Sequence, residues 1–156
     1  MDVFKLLKQD HKEVKGIFKK LEKTSDESAR NKGFARLERE LSVHAEVEEE
    51  LLYPRLRQEK KLRETVNEAF EEHHIAKVLL QELAETRPAD ERWAAKLSVL
   101  KEIVQHHVEE EETELFPKAA RALGKGESKE LGKRIEAAKK TKLKSVSAQP
   151  PAEQAS

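Results

Sequence analysis

Apolar residues return along this chain at steps of three and four, the spacing of one face of an α-helix. A first stripe reads Phe4, Leu7, His11, Val14, Phe18 and Leu21. A second reads Phe34, Leu37, Leu41, His44, Glu48 and Leu51. A third reads Val66, Ala69, His73, Ala76, Leu80 and Leu83, and a fourth Trp93, Leu97, Leu100, Val104, His107, Glu111 and Leu115. The opposite faces are charged, so each predicted helix has one side to bury and one to solvate. No run of β-branched residues offers a strand. Thr24-Ser25-Asp26 separates the first helix from the second, and Asp90, after Thr86-Arg87-Pro88, is placed to cap the fourth. Tyr53 and Phe116 each precede a proline, so the second and fourth helices are expected to end or kink there. Four helices with short connections predict an all-α, up-down-up-down four-helix bundle. Residues 1–123 are read as this bundle and 124–156 as a basic C-terminal tail. The tail carries a short helical extension from about Ser128 to Lys140 and is expected to be disordered after Lys144, where Ser, Ala, Gln and Pro take over.

Composition narrows the function. The 156 residues hold 31 Lys+Arg and 31 Asp+Glu, 40% charged in all, which suits solvated helix faces around one core. The zero balance is uneven: residues 118–156 carry ten basic and four acidic side chains, leaving 21 against 27 in the first 117. There is no cysteine, hence no disulfide, thiolate nucleophile or zinc–thiolate site. No apolar run reaches membrane-spanning length and the N-terminus lacks a signal-peptide pattern, so no membrane is expected and a cytoplasmic location is the default. The lysines of the tail have no aromatics between them, which gives a nucleic-acid role no support. P-loop, dinucleotide and hydrolase-elbow motifs are absent.

The informative feature is an internal repeat. His44-x3-Glu48-Glu49-x2-Leu52-Tyr53-Pro54 matches His107-x3-Glu111-Glu112-x2-Leu115-Phe116-Pro117. Asp10-His11 and the apolar residues after it match Glu72-His73 more loosely. Residues four apart share a helix face, so His44 with Glu48, and His107 with Glu111, can meet one metal ion or two adjacent ones. A carboxylate within an apolar stripe is costly as packing and sensible as metal coordination. Four imidazoles and two carboxylates suit Fe, Zn or Mn and are too nitrogen-rich for Mg or Ca. His74 and His106 are the neighbouring alternatives. The repeat favours His73 and His107, and single-alanine variants at His44, His106 and His107 separate the registers. Most carboxylates of the Glu48–Glu50 and Glu109–Glu112 runs must be solvated. Glu49 and Glu112 recur in both halves and are candidates for a supporting role, while Tyr53 and Phe116 read as core anchors at helix ends. Ferritin-like chemistry wants two Glu-x2-His motifs and finds only Glu71-x2-His74; covalent haem attachment wants a Cys-x2-Cys-His that is missing.

At these residues the sequence resembles the hemerythrin-like, or HHE cation-binding, domain over about residues 1–123. The resemblance implies a left-twisted bundle around two non-haem iron ions bridged by carboxylates and an oxo or hydroxo group. His11, His44, Glu48, His73, His107 and Glu111 match the ligand positions, with Glu48 and Glu111 as the bridging pair. Oxygen-carrying hemerythrins place a second histidine four residues on in the third helix, where this chain has Lys77. Their fourth helix has a His-x4-Asp that His107-x3-Glu111 does not reproduce. The pattern is closer to a six-ligand bacterial group with an open coordination position. That group implies binding and reaction with oxygen-derived small species (hydrogen peroxide, O2 or NO), in catalase-like detoxification or in sensing. The competing expectation is a non-catalytic metal-dependent sensor or iron-handling protein whose basic tail touches a protein partner not named by the sequence.

Overall fold

The computed structural model describes residues 1–148, and they are almost entirely helical. Helix α1 spans Val3–Glu22, α2 Glu27–Val47, α3 Tyr53–Leu56, α4 Arg63–Ala84, α5 Glu91–Glu110 and α6 Phe116–Ala148. Three helices begin at an aspartate whose carboxylate accepts a backbone N–H: Asp2 from Lys5, Asp26 from Ala29 and Asp90 from Arg92, each at 2.9 Å. These caps satisfy amide donors that no helix can satisfy internally. They fall where the sequence signals put them for the second and fourth helices of the bundle.

The helices do not end at Tyr53 and Phe116. Residues Glu48–Leu52 and Glu111–Leu115 instead form π-helical turns. Tyr53 itself is helical (φ −59°, ψ −41°), and α3 carries the rod on to Leu56. The N–H of Tyr53 donates to Glu48 O and that of Phe116 to Glu111 O, five residues back rather than four. A proline in an α-helix lacks a donor and strikes the carbonyl four residues earlier. A turn widened by one residue gives the ring room, so each proline starts a new helical segment rather than ending the old one.

The bundle stacks two apolar layers with a polar layer between them. One is built from Val3, Phe4, Leu7, Leu52, Leu56, Val66, Leu115 and Phe116, among others. The other contains Val14, Phe18, Leu21, Leu37, Leu83, Trp93, Leu97 and Leu100. Each such side chain stabilises the fold by about 1.5–3 kcal/mol on burial. Arg30 closes the second layer's end, lying 4.9 Å from the Trp93 ring and donating to Pro88 O.

The C-terminal segment also departs from expectation. Residues beyond Lys144 are helical as far as Ala148, while 149–156 lie outside the described residues. The helix is interrupted only at Gly124, whose φ of 76° is a conformation that L side chains rarely adopt. Past that bend α6 folds back along α1 and α2. Leu131 and Ile135 enter the first apolar layer, and Gly132 lies so close to the backbone of Met1 and Val3 that a Cβ there would collide with it. Ordinary helix formers, Ala and Lys, continue this segment once its apolar face is seated.

Candidate metal centre

The polar layer contains the six residues that the repeat singles out. Glu48 and Glu111 are essentially inaccessible, at 0% and 1% exposure, and His11, His44 and His107 are buried. The His73 side chain is 9% exposed. They form two groups, His11–His44–Glu111 and Glu48–His73–His107, and within each the candidate donor atoms lie within 4.8 Å of one another. The carboxylates span both groups. Glu48 Oε1 is 3.2 Å from His73 Nε2 and also 3.2 Å from His44 Nε2. Glu111 lies 3.2 Å from His11 Nε2 through Oε1 and 3.4 Å from His107 Nε2 through Oε2. His74 is exposed and the His106 side chain is 65% exposed, so neither belongs to this layer.

Each of the four histidines of the layer is held from behind in the same way. His11 Nδ1 meets Glu112 at 2.7 Å, His44 Nδ1 meets Asp10 at 2.9 Å, His73 Nδ1 meets Glu49 at 2.8 Å, and His107 Nδ1 meets Glu72 at 2.7 Å. An ionised carboxylate can only accept, so Nδ1 carries the proton and Nε2 faces the centre. Each supporting carboxylate is the sequence neighbour of a candidate ligand yet serves the histidine of the next helix. The doublets Asp10-His11, Glu48-Glu49, Glu72-His73 and Glu111-Glu112 thereby lace the four helices into a closed ring. Glu49 and Glu112 had a sequence signal for this role. Asp10 and Glu72 had one too, in their adjacency to the histidines, but adjacency does not say which imidazole they reach.

Tyr53 is the residue whose chemistry the sequence reading missed. It is fully buried as an anchor, but its hydroxyl ends in the polar layer, donating to Glu111 Oε2 at 2.5 Å and lying 3.1 Å from Glu48 Oε1. The π-turn makes this geometry: residues five apart stack when the helix is widened, so Glu48 and Tyr53 converge. Phe116 occupies the equivalent position in the repeat and carries no hydroxyl; its ring stacks on His11 at 6.0 Å.

The charges are strongly coupled. Burial alone would disfavour a charged His44, but Glu48 and Asp10 outweigh it and raise its pKa to about 10. His107 is likewise pushed well above its usual value, burial being overcome by Glu111 and Glu72. Burial opposes ionisation of Glu111 too, yet His107 and His11 hold it well below the carboxylate range. Burial and the neighbouring Glu111 and Glu48 push the Tyr53 hydroxyl well up, so it stays a donor. A cavity of about 280 Å3 reaches this layer past Ala45, Phe70, Ala76 and Lys77, with all four histidines in its wall.

The residues fit a cation. His11 Nε2, His44 Nε2, Glu48 Oε2 and Glu111 Oε1 are buried and have no hydrogen-bond partner among the described residues. Such atoms are expensive to leave unsatisfied, and they belong to the two clusters that Glu48 and Glu111 join. Imidazole nitrogens backed by carboxylates, beside unpaired carboxylate oxygens, make a donor set for a transition metal.

The comparisons agree. The chain resembles a crystal structure of a hemerythrin HHE cation-binding domain-containing protein from Mycobacterium kansasii. The TM-score is 0.82 and the identity 25%, covering 93% of this chain and 89% of that one. It is also 29% identical over 139 residues to a protein from Nostoc sp. named a DNA nickase. That match covers 89% of this chain but 39% of the relative's length. The model of the hemerythrin HHE cation binding domain matches residues 2–119. The chain belongs to the hemerythrin HHE cation-binding domain family.

Proposed function

We propose that the protein is a non-haem di-iron protein that binds and reacts with peroxide, O2 or NO. His11, His44 and Glu111 would hold one ion and Glu48, His73 and His107 the other, with Glu48 and Glu111 shared. The observation that carries this reading is the set of orphaned buried donor atoms in two adjoining clusters, each imidazole fixed from behind by a carboxylate. When bound, iron supplies reversible one-electron chemistry and a coordination position for a small ligand.

The chain's own contribution is arrangement. The carboxylates behind the imidazoles set ring orientation and raise ligand basicity. The cavity past Phe70 and Lys77 admits a molecule of a few atoms while Leu41, Val104 and Leu80 limit water. Tyr53 holds a proton at its hydroxyl beside both shared carboxylates, within reach of a substrate oxygen placed between them. Lys77 at the cavity wall, where oxygen carriers have a further histidine, favours an open position and hence reaction over storage.

Purified with iron, the protein is expected to hold close to two irons per chain, show ferric charge-transfer absorption and accelerate peroxide decay. Sub-stoichiometric iron without those bands would sink the reading. The nickase name of the Nostoc relative describes a longer protein, and nucleic acid is not the substrate proposed for this chain.

A further inference from the structure

The two halves of the centre are not held alike. Asp10, 4% exposed, divides its carboxylate between two donors: Oδ2 accepts from His44 Nδ1 at 2.9 Å, and Oδ1 accepts from Lys139 Nζ. A carboxylate bonded through both oxygens cannot turn away from its imidazole. Its counterpart Glu72 has Oε1 on His107 Nδ1 at 2.7 Å, but its Oε2 faces the exposed His106 at 3.7 Å. Lys139 reaches Asp10 because α6 is anchored on either side of it. Leu131 and Ile135 are packed in the core, Gly132 lies against the start of α1, and Lys142 bridges Glu46 and Glu50 at 3.1 Å each.

We propose that Lys139 is a positioning residue for the His11–His44–Glu111 half of the centre, and that it makes the two metal positions unequal. It touches no ligand. It locks Asp10, Asp10 locks the His44 ring, and the stretch of α6 that the family match does not cover becomes part of the site. The inference rests on the metal reading above.

The test is titration of the metal-free full chain with Co(II), followed by absorption and calorimetry. Wild-type protein should take up two ions. Lys139→Met should still take up two, one of them bound about tenfold more weakly, the lower end for losing a group that orients a ligand. Lys139→Arg, which keeps the charge and the donors, should restore the lost affinity. A second readout is the proton NMR spectrum of the Co(II) form, which should show four shifted, exchangeable Nδ1–H signals, one per coordinated histidine. In Lys139→Met one of the four should exchange with solvent faster while the His73 and His107 signals stay. Two affinities within twofold of wild type, equal weakening at both positions, or four unchanged signals would overturn the role of Lys139. Failure of the wild-type chain to bind two ions would overturn the metal reading itself, so the two failures are distinct.

Discussion

The α1–α2 half and the α4–α5 half of the bundle carry the same histidine–glutamate pattern in different surroundings. Both offer a helix with one histidine in the polar layer and a helix with His-x3-Glu running into a π-turn. The first half is roofed by α6, which leaves Leu6 and Val47 buried and gives Asp10 a lysine. At the repeat-equivalent places the second half has Glu68 and Glu110, with Glu72 partly exposed and Ile75, Val78 and Val99 out in solvent. The π-turns differ as well, since one ends in Tyr53 and the other in Phe116. The repeat is retained at the six residues of the polar layer. It diverges wherever a residue answers instead to the helix, or the water, outside.

The most severe way to break the comparison is to remove a shared carboxylate. Glu48→Ala and Glu111→Ala should each cost both ions, dropping iron below one per chain by metal analysis; loss of a single ion from either would refute sharing. His44→Ala and His107→Ala should cost similar amounts of iron, one from each half.

The supporting carboxylates sharpen the contrast. Asp10→Asn leaves Lys139 facing an amide in a largely buried place and should lower stability by about 3 kcal/mol, the lower end for a broken buried pair. Glu72→Gln, partly exposed, should cost under about 1 kcal/mol. Thermal or denaturant melts of the metal-free proteins would show it, and the reverse order would void the distinction.

The pH dependence of the metal-free protein follows from the raised histidines. A group whose folded pKa lies above its unfolded value stabilises the fold fully below the unfolded value and loses that stabilisation as pH rises through the folded one. For His44 that window runs from its ordinary 6.5 up to about 10. His73 and His107 shift in the same direction. Glu111, depressed, acts at the other end, and its contribution falls away as pH drops below the carboxylate range. Melting temperature without metal should therefore decline from pH 6.5 to 10. Metal loading should flatten the decline and release protons, because Nε2 must be bare to ligate. The smallest effects belong to Tyr53→Phe and His106→Ala. The first should leave iron content near wild type while slowing peroxide decay. The second should change neither, since His106 is exposed.

The bundle and the layer of six residues were legible because helical periodicity and a repeated His-x3-Glu are properties of single segments. Asp90 as a cap was legible for the same reason. The continuation through Pro54 and Pro117 was not, because a proline signals a missing donor but not the extra residue that accommodates it. Residues 145–148 read as disorder from their composition, yet they continue α6. The seat for that helix is the first apolar layer and the N-terminal backbone, far away in sequence. The Tyr53 hydroxyl was hidden behind its neighbour-like match to Phe116, where one oxygen atom is the entire difference.

The widened turns also place a register seam in the middle of the site. One residue of an α-helix corresponds to about 100° of rotation. Deleting a single residue between Glu49 and Leu52 would put Tyr53 four residues from Glu48, the spacing that shares a face in an ordinary α-helix, so Tyr53 would keep its side while Pro54 lost the widened turn that gives its ring room. The extra residue is thus absorbed within the turn, and the chain on either side of it keeps one phase, with Glu48 and Tyr53 on a common face. A further residue inserted there has no turn left to absorb it and would rotate everything downstream, so these two short stretches should tolerate substitution far better than insertion.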